Sequence, residues 1–398
     1  MILNRAFQIT NEGVHHMLRL IAATLLGFTS ISPLFAVDAS EASNARHPLA
    51  KFVEQGRIAG GVTLLAHEGE IVRKAAVGKA DLDTDAPATT ETMFAIASMT
   101  KPITATAVMI LQEEGKLSID DPVGKYILAF KNAKLKDGTP AGEITLRQLM
   151  SHTSGLGGDQ RITGSLAETV QEIAERPLAF APGTKWQYSP GLTVCGRVIE
   201  IVSKQPYETF LAERIFKPLD MQETTFRPTE EQRQRIARIY DLSDDGAQLV
   251  PAENRYGILP ADENEGPNPS AGLYSTASDL ATFYQMILNG GVHNAQRIVS
   301  AESVSEMTRV QTGKLKTGFT PGNGWGLGWC IVREPQGVTA MLSPGTFGHG
   351  GAFGTQAWID PETETIFVLL IARSGLPNSD ASDMRRVFQS RAVGFLGE

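Results

Sequence analysis

Ser98-Met99-Thr100-Lys101-Pro102-Ile103-Thr104-Ala105-Thr106-Ala107-Val108-Met109-Ile110-Leu111 is the stretch on which the reading of this chain turns. From Ile103 to Leu111 it is apolar nearly all the way round, the pattern of a core helix rather than a surface one. Gly115 supplies the stop. Pro102 would break a helix interior but is tolerated in a first turn, where its missing N–H has no acceptor to lose, so the helix is predicted to begin near Ser98. Residues three apart share a helix face, which brings the Lys101 amine within reach of the Ser98 hydroxyl. The free N–H groups at that terminus favour an anion beside Ser98. Apolar surroundings lower a lysine's pKa and release a neutral amine that takes the serine proton. Read alone, the tetrapeptide is by default a helix-capping serine followed by a solvated lysine, and other segments must overturn that reading.

The 398 residues suffice for a large core. Hydrophobic and charged contents of 42% and 20% are ordinary for a globular protein. A net charge of −8, with no basic run, argues against nucleic acid as a partner. The seven histidines are scattered and no His-Glu-x-x-His occurs, so neither metal nor other cofactor is expected. Cys195 and Cys330 both lie in apolar settings and are read as buried thiols rather than a bridge.

Residues 1–39 read as a leader and export signal. Arg19 precedes the apolar run Leu20 to Phe28, and Ala36 and Ala39 offer small-residue cleavage points. The run is too short to span a bilayer, so no stable membrane anchor is expected, and Met17 is an alternative start. With no cysteine near the cleavage region, no lipoprotein anchor is expected. The expected destination is the periplasm or the medium of a bacterium.

Downstream, a helix is expected over His47 to Gln55, then a hairpin of Gly61 to His67 and Ile71 to Val77. Between Leu117 and Pro269 the signals are helical: Leu166 to Glu175, Leu192 to Val202 and Tyr207 to Phe216. Pro228 to Pro269 is polar and aperiodic, a candidate flap. A helix follows at Asp279 to Leu288, then strands at Trp329 to Arg333, Thr355 to Ile359 and Ile366 to Ile371, and a closing helix from Ser382 to Phe395. Strands at both ends with helices between predict an α+β fold whose antiparallel sheet draws on 45–116 and 271–398, with 117–270 as a mainly helical insertion.

Two further segments carry chemistry. Tyr188, in Trp186-Gln187-Tyr188-Ser189-Pro190-Gly191, sits just before a helix, where a phenol can relay a proton if positive charge is near. In Phe347-Gly348-His349-Gly350-Gly351-Ala352-Phe353-Gly354, glycines let backbone N–H groups approach a substrate, making Ala352 N–H a candidate oxyanion donor beside that of Ser98.

In order and spacing, Ser98/Lys101, Tyr188 and His349-Gly350-Gly351 resemble the serine β-lactamase and penicillin-binding-protein superfamily, in its class C-like branch, which also contains esterases. Gln148 to Leu156, Ile215 to Leu219 and Gly272 to Leu280 carry the likeness across the chain after the leader. The resemblance implies a β-lactamase/transpeptidase-like fold and an acyl-enzyme on Ser98. It makes Lys101 and Tyr188 the proton-transfer pair, either of them the base. His349, Gly350 and Gly351 become the substrate-binding strand. Two departures bear on substrate. Pro190 stands where the family pattern has an asparagine whose amide holds an acylamino group. His349 replaces a lysine that binds the substrate carboxylate, and a neutral imidazole binds carboxylate more weakly. Both favour a small carboxylic ester over a β-lactam or a D-alanyl-D-alanine peptide, whose hydrolysis remains an alternative. A penicillin- or peptide-binding sensor, acylated without turnover, is another. His349 either contacts the substrate or packs beside the glycine turn, and His152 is expected to be structural. No Gly-x-Ser-x-Gly elbow offers a competing nucleophile.

Overall fold

A computed structural model of the chain describes residues 47–158, 161–252, 257, 259 and 265–397. The expected export signal and part of the expected flap, from 253 to 264, fall wholly or partly outside the described residues.

The first elements are α1 (Ala50–Glu54), β1 (Gly60–His67), β2 (Glu70–Asp81), β3 (Ala86–Pro87), β4 (Phe94–Ala95) and α2 (Thr100–Glu113). The middle supplies α3 (Leu146–Met150), α4 (Leu166–Glu175), α5 (Gly191–Ser203), α6 (Tyr207–Leu211), α7 (Glu230–Arg233), β5 (Tyr240–Leu242) and β6 (Leu249–Pro251). There follow β7 (Tyr274–Ser275), α8 (Ala277–Leu288), β8 (Val292–His293), β9 (Gln296–Arg297), α9 (Ala301–Thr308), β10 (Asn323–Trp325) and β11 (Cys330–Val332). The chain closes with β12 (Phe347–Gly350), β13 (Gln356–Asp360), β14 (Thr365–Ile371) and α10 (Asp383–Leu396).

The main sheet has eight strands in the order β10-β11-β12-β13-β14-β1-β2-β3. Its seam is the antiparallel pair β1 and β14, with Gly61 opposite Ile371 and His67 opposite Thr365, so the two ends of the chain meet in mid-sheet. β14 reads as a continuous apolar run because both its faces are buried. Ile366, Val368 and Leu370 join the core that contains α2 and α8, whereas Phe367, Leu369 and Ile371 pack with residues of α1 and α10. An α+β fold with an antiparallel sheet flanked by helices was therefore foreseen correctly.

The details differ in instructive ways. The helix expected over Tyr207 to Phe216 is α-helical only to Leu211, and Ala212–Phe216 is a π-turn, a variation that apolar spacing does not encode. The glycine-rich segment expected to lead into a strand is itself strand β12, paired on both sides. β10, too short for an alternation signal, went unforeseen.

Candidate active site

Ser98 lies in a 3-10 turn, Ala97–Met99, that runs directly into α2, with Pro102 in the helix's first turn. α2 is buried from Thr100 to Leu111, as its all-round apolar sequence requires. Ala97 takes a φ of 46°, a left-handed conformation that costs a non-glycine residue about 1 kcal/mol. Its neighbours hold it there. Ile96 N–H donates to Leu273 O (2.9 Å), Thr355 Oγ1 donates to Ile96 O (3.1 Å), and Thr100 Oγ1 donates to Ala97 O (2.7 Å). The bend presents Ser98 at the mouth of a cavity of about 140 Å³.

Lys101 is fully buried, with Nζ 3.2 Å from Ser98 Oγ and 2.8 Å from Ser270 O, to which it donates. That carbonyl belongs to a segment clamped between helices: Thr104 Oγ1 of α2 donates to Pro269 O (2.6 Å), Thr193 Oγ1 of α5 meets Ser270 Oγ (2.7 Å), and Ser270 N–H donates to Asn268 Oδ1 (3.0 Å). Loss of hydration holds the Lys101 amine well below the usual lysine pKa. A neutral amine that donates to Ser270 O still has its lone pair for the serine proton.

Tyr188 stands over Lys101, whose Nζ is 4.6 Å from the ring centroid. Its ring also packs against His152 (4.4 Å), Phe319 (5.0 Å) and Trp325 (5.6 Å). His152 is structural in a specific sense. Its Nδ1 accepts from Ser189 N–H (3.2 Å) and its ring lies against Tyr188, so it ties the tyrosine loop to the end of α3. Burial keeps it neutral, assisted by Lys101 and His349. Pro190 is buried at the cap of α5 and accepts from Thr193 N–H (3.0 Å). Gly191 follows because a Cβ there would sit 2.1 Å from Leu149 O.

The third segment completes the cleft. His349, Gly350, Gly351 and Ala352 line the same cavity as Ser98 and Tyr188. Ala352 N–H donates to no acceptor among the described residues, which suits an oxyanion donor. His349 Nδ1 lies 2.6 Å from Gly350 O and must donate to it, leaving Nε2 without its proton and without a partner among the described residues. Burial lowers the pKa of this imidazole to about 3, so it is neutral at physiological pH.

The chain also contains the literal tripeptide Lys316-Thr317-Gly318. It belongs to no strand and lines a different depression, whereas His349-Gly350-Gly351 is the segment beside Ser98. Sequence reasoning missed Phe319, Trp325 and Asp380, which also line the cavity. They carry no motif and reach the site only through folding. Both cysteines are buried and free, as expected, and Cys330 is part of the cavity lining, with Asn323 Nδ2 donating to its sulfur. Among the described residues, no group of three or more His, Cys, Asp or Glu is placed to hold a metal, and no helix is long and apolar enough to cross a membrane.

The family model described as Beta-lactamase matches residues 46–392. Esterase EstB of Burkholderia gladioli is 29% identical over 81% of this chain and 88% of its own. A putative D-alanyl-D-alanine carboxypeptidase of Escherichia coli O157:H7 is 31% identical over 76% and 74%. Among solved structures, EstCE1, described as a hydrolase with promiscuous acyltransferase activity, superposes with a TM-score of 0.76 at 24% identity, covering 88% of this chain and 97% of its own.

Proposed function

The chain belongs to the β-lactamase family of serine hydrolases, and on that footing we propose that it hydrolyses carboxylic esters through an acyl-enzyme on Ser98. The observation that carries the reading is the buried Lys101 amine 3.2 Å from Ser98 Oγ, its ammonium form disfavoured by loss of hydration. Ser98 Oγ bonds to the ester carbonyl carbon while its proton passes to the Lys101–Tyr188 pair. The N–H groups of Ser98 and Ala352 receive the oxyanion. As the carbon–alcohol bond breaks, Tyr188 hands the proton to the leaving oxygen. Water, deprotonated by the same pair, then releases the acid.

Esters are favoured over β-lactams and peptides by two features of the cleft. Pro190 is turned into the cap of α5 and has no amide side chain to offer an acylamino group. His349 is neutral, which leaves the third segment without the cation that a substrate carboxylate would seek. The carboxypeptidase relative keeps a D-alanyl-D-alanine substrate as the second reading. Arg19 and the apolar run behind it support export to the periplasm or medium. The test is turnover of p-nitrophenyl butyrate beside a chromogenic cephalosporin and a D-alanyl-D-alanine peptide, each with Ser98→Ala alongside. Ser98-dependent ester turnover with little action on the other two is expected. Faster cephalosporin or peptide hydrolysis would overturn the reading, and a stable Ser98 adduct without product would replace it with a sensor.

A further inference from the structure

Asp380 is the one carboxylate among the described residues lining the catalytic cavity, which holds no arginine or lysine side chain in its described lining. It sits between β14 and α10, pressed against the catalytic strand. A Cβ on Gly350 would lie 2.5 Å from Gln356 Nε2 and 2.9 Å from Asp380 Oδ1, so glycine there admits both side chains. Thr320 Oγ1 donates to Asp380 Oδ2 (2.5 Å), and Arg385 Nη1 donates to its carbonyl (2.7 Å) and to Oδ1 (3.3 Å). Arg385 is itself fully buried, with its guanidinium 3.8 Å from the Trp358 ring centroid, behind the carboxylate. The carboxylate is thus fixed with oxygens to spare, since each accepts more than one hydrogen bond.

Aromatic rings share the cavity with it. Phe319, Trp325 and Tyr188 line the same cavity, with Tyr188 5.0 Å from Phe319 and 5.6 Å from Trp325, and Phe319 6.4 Å from Trp325. One face of Tyr188 already receives the Lys101 amine and Trp325 is 1% exposed, so the half-exposed Phe319 is the more open of the two remaining walls. Aromatic faces attract cations and gain more when water is excluded. A fixed carboxylate beside them suits a positive group and opposes a negative one. The two basic groups nearest the cleft do not reverse this. Lys101 is held toward its neutral form, and Arg385 lies on the far side of Asp380. The net charge of −8 concentrates cations around the protein as a whole.

We propose that this cleft recognises an ester bearing an alkylammonium group, with Asp380 as counter-ion and Phe319 and Trp325 as aromatic walls. The inference names a substrate class for the esterase reading and rests on it, so it is tested by binding rather than turnover. Ser98→Ala protein is titrated calorimetrically with butyrylcholine and with 3,3-dimethylbutyl butyrate, which has the same shape without the charge. The cationic ester is expected to bind at least about tenfold more tightly. Asp380→Asn should remove most of that preference, and Phe319→Leu should weaken the cation more than its isostere. Equal binding of the two esters, or an unchanged preference in both variants, overturns the proposal. Asp380→Asn deprives a buried guanidinium of its partner, so its melting transition is recorded too. If it does not fold, the half-exposed Phe319 decides the matter. Failure of the wild type to turn over p-nitrophenyl butyrate would count against the esterase reading alone, because the titration uses protein without its nucleophile.

Discussion

Gly351 touches Ile96 so closely that a Cβ on the glycine would sit 2.5 Å from the Ile96 carbonyl oxygen and 2.1 Å from Thr355 Oγ1. Through this contact the end of the catalytic strand sets the bend that presents Ser98, since the same carbonyl accepts from Thr355. Gly351→Ala should push the two apart. We expect kcat on p-nitrophenyl butyrate to fall about 100-fold, the cost of displacing reacting groups by an ångström or so. Steady-state kinetics with a parallel melting curve separates this from simple unfolding.

In the proposed mechanism Lys101 accepts a proton only as a neutral amine. Lys101→Arg keeps a cation of similar length that does not deprotonate, and it should lose as much activity as Lys101→Met, about 100-fold or more. Recovery of near wild-type rates by the arginine variant would mean that charge, not proton transfer, is what the position supplies.

The pH dependence follows from the same burial. kcat/KM should rise with pH as the Lys101–Tyr188 pair loses its proton. His349, whose pKa is lowered to about 3, does not titrate between pH 5 and 8. Whatever the rate of a His349→Gln variant, the acid limb of its profile should keep its position. A shifted limb would assign that ionisation to the imidazole.

Stability has its own histidine signature. His47 is buried beneath α1, with Nδ1 accepting from Leu49 N–H (3.1 Å) and Nε2 3.1 Å from Thr63 Oγ1. Burial lowers its pKa to about 4, against about 6.5 when unfolded. Between those values the unfolded chain binds the extra proton, so stability falls as pH drops from 6.5 toward 4 and is restored above 6.5. The full effect is about 3 kcal/mol. Melting temperatures of wild type and His47→Gln from pH 7 to 4 should converge as the pH falls.

How much of this was legible in the sequence depended on whether the signal was local. The Ser98–Lys101 geometry was, because helix spacing and first-turn proline chemistry act within one turn. The strands β1 and β14 were legible as strands, but their pairing across the chain was not a local property. Asp380 and Trp325 were invisible as site residues for the same reason. Each looks ordinary in sequence and becomes part of the cleft only when β10, β12 and the turn before α10 are brought together. The literal Lys316-Thr317-Gly318 makes the complementary point, since a motif without its strand does not reach the chemistry.

The seam between β1 and β14 also orders events in time. The ribosome makes Ser98 some 250 residues before Gly351, and the strand that carries Gly350 is joined to β1 only through β13 and β14. A growing chain therefore holds its nucleophile for most of its synthesis without the second half of the cleft. The two parts of the cleft come together only when the last strands dock, so a chain still short of β12 holds Ser98 without the glycine segment that shares its cavity.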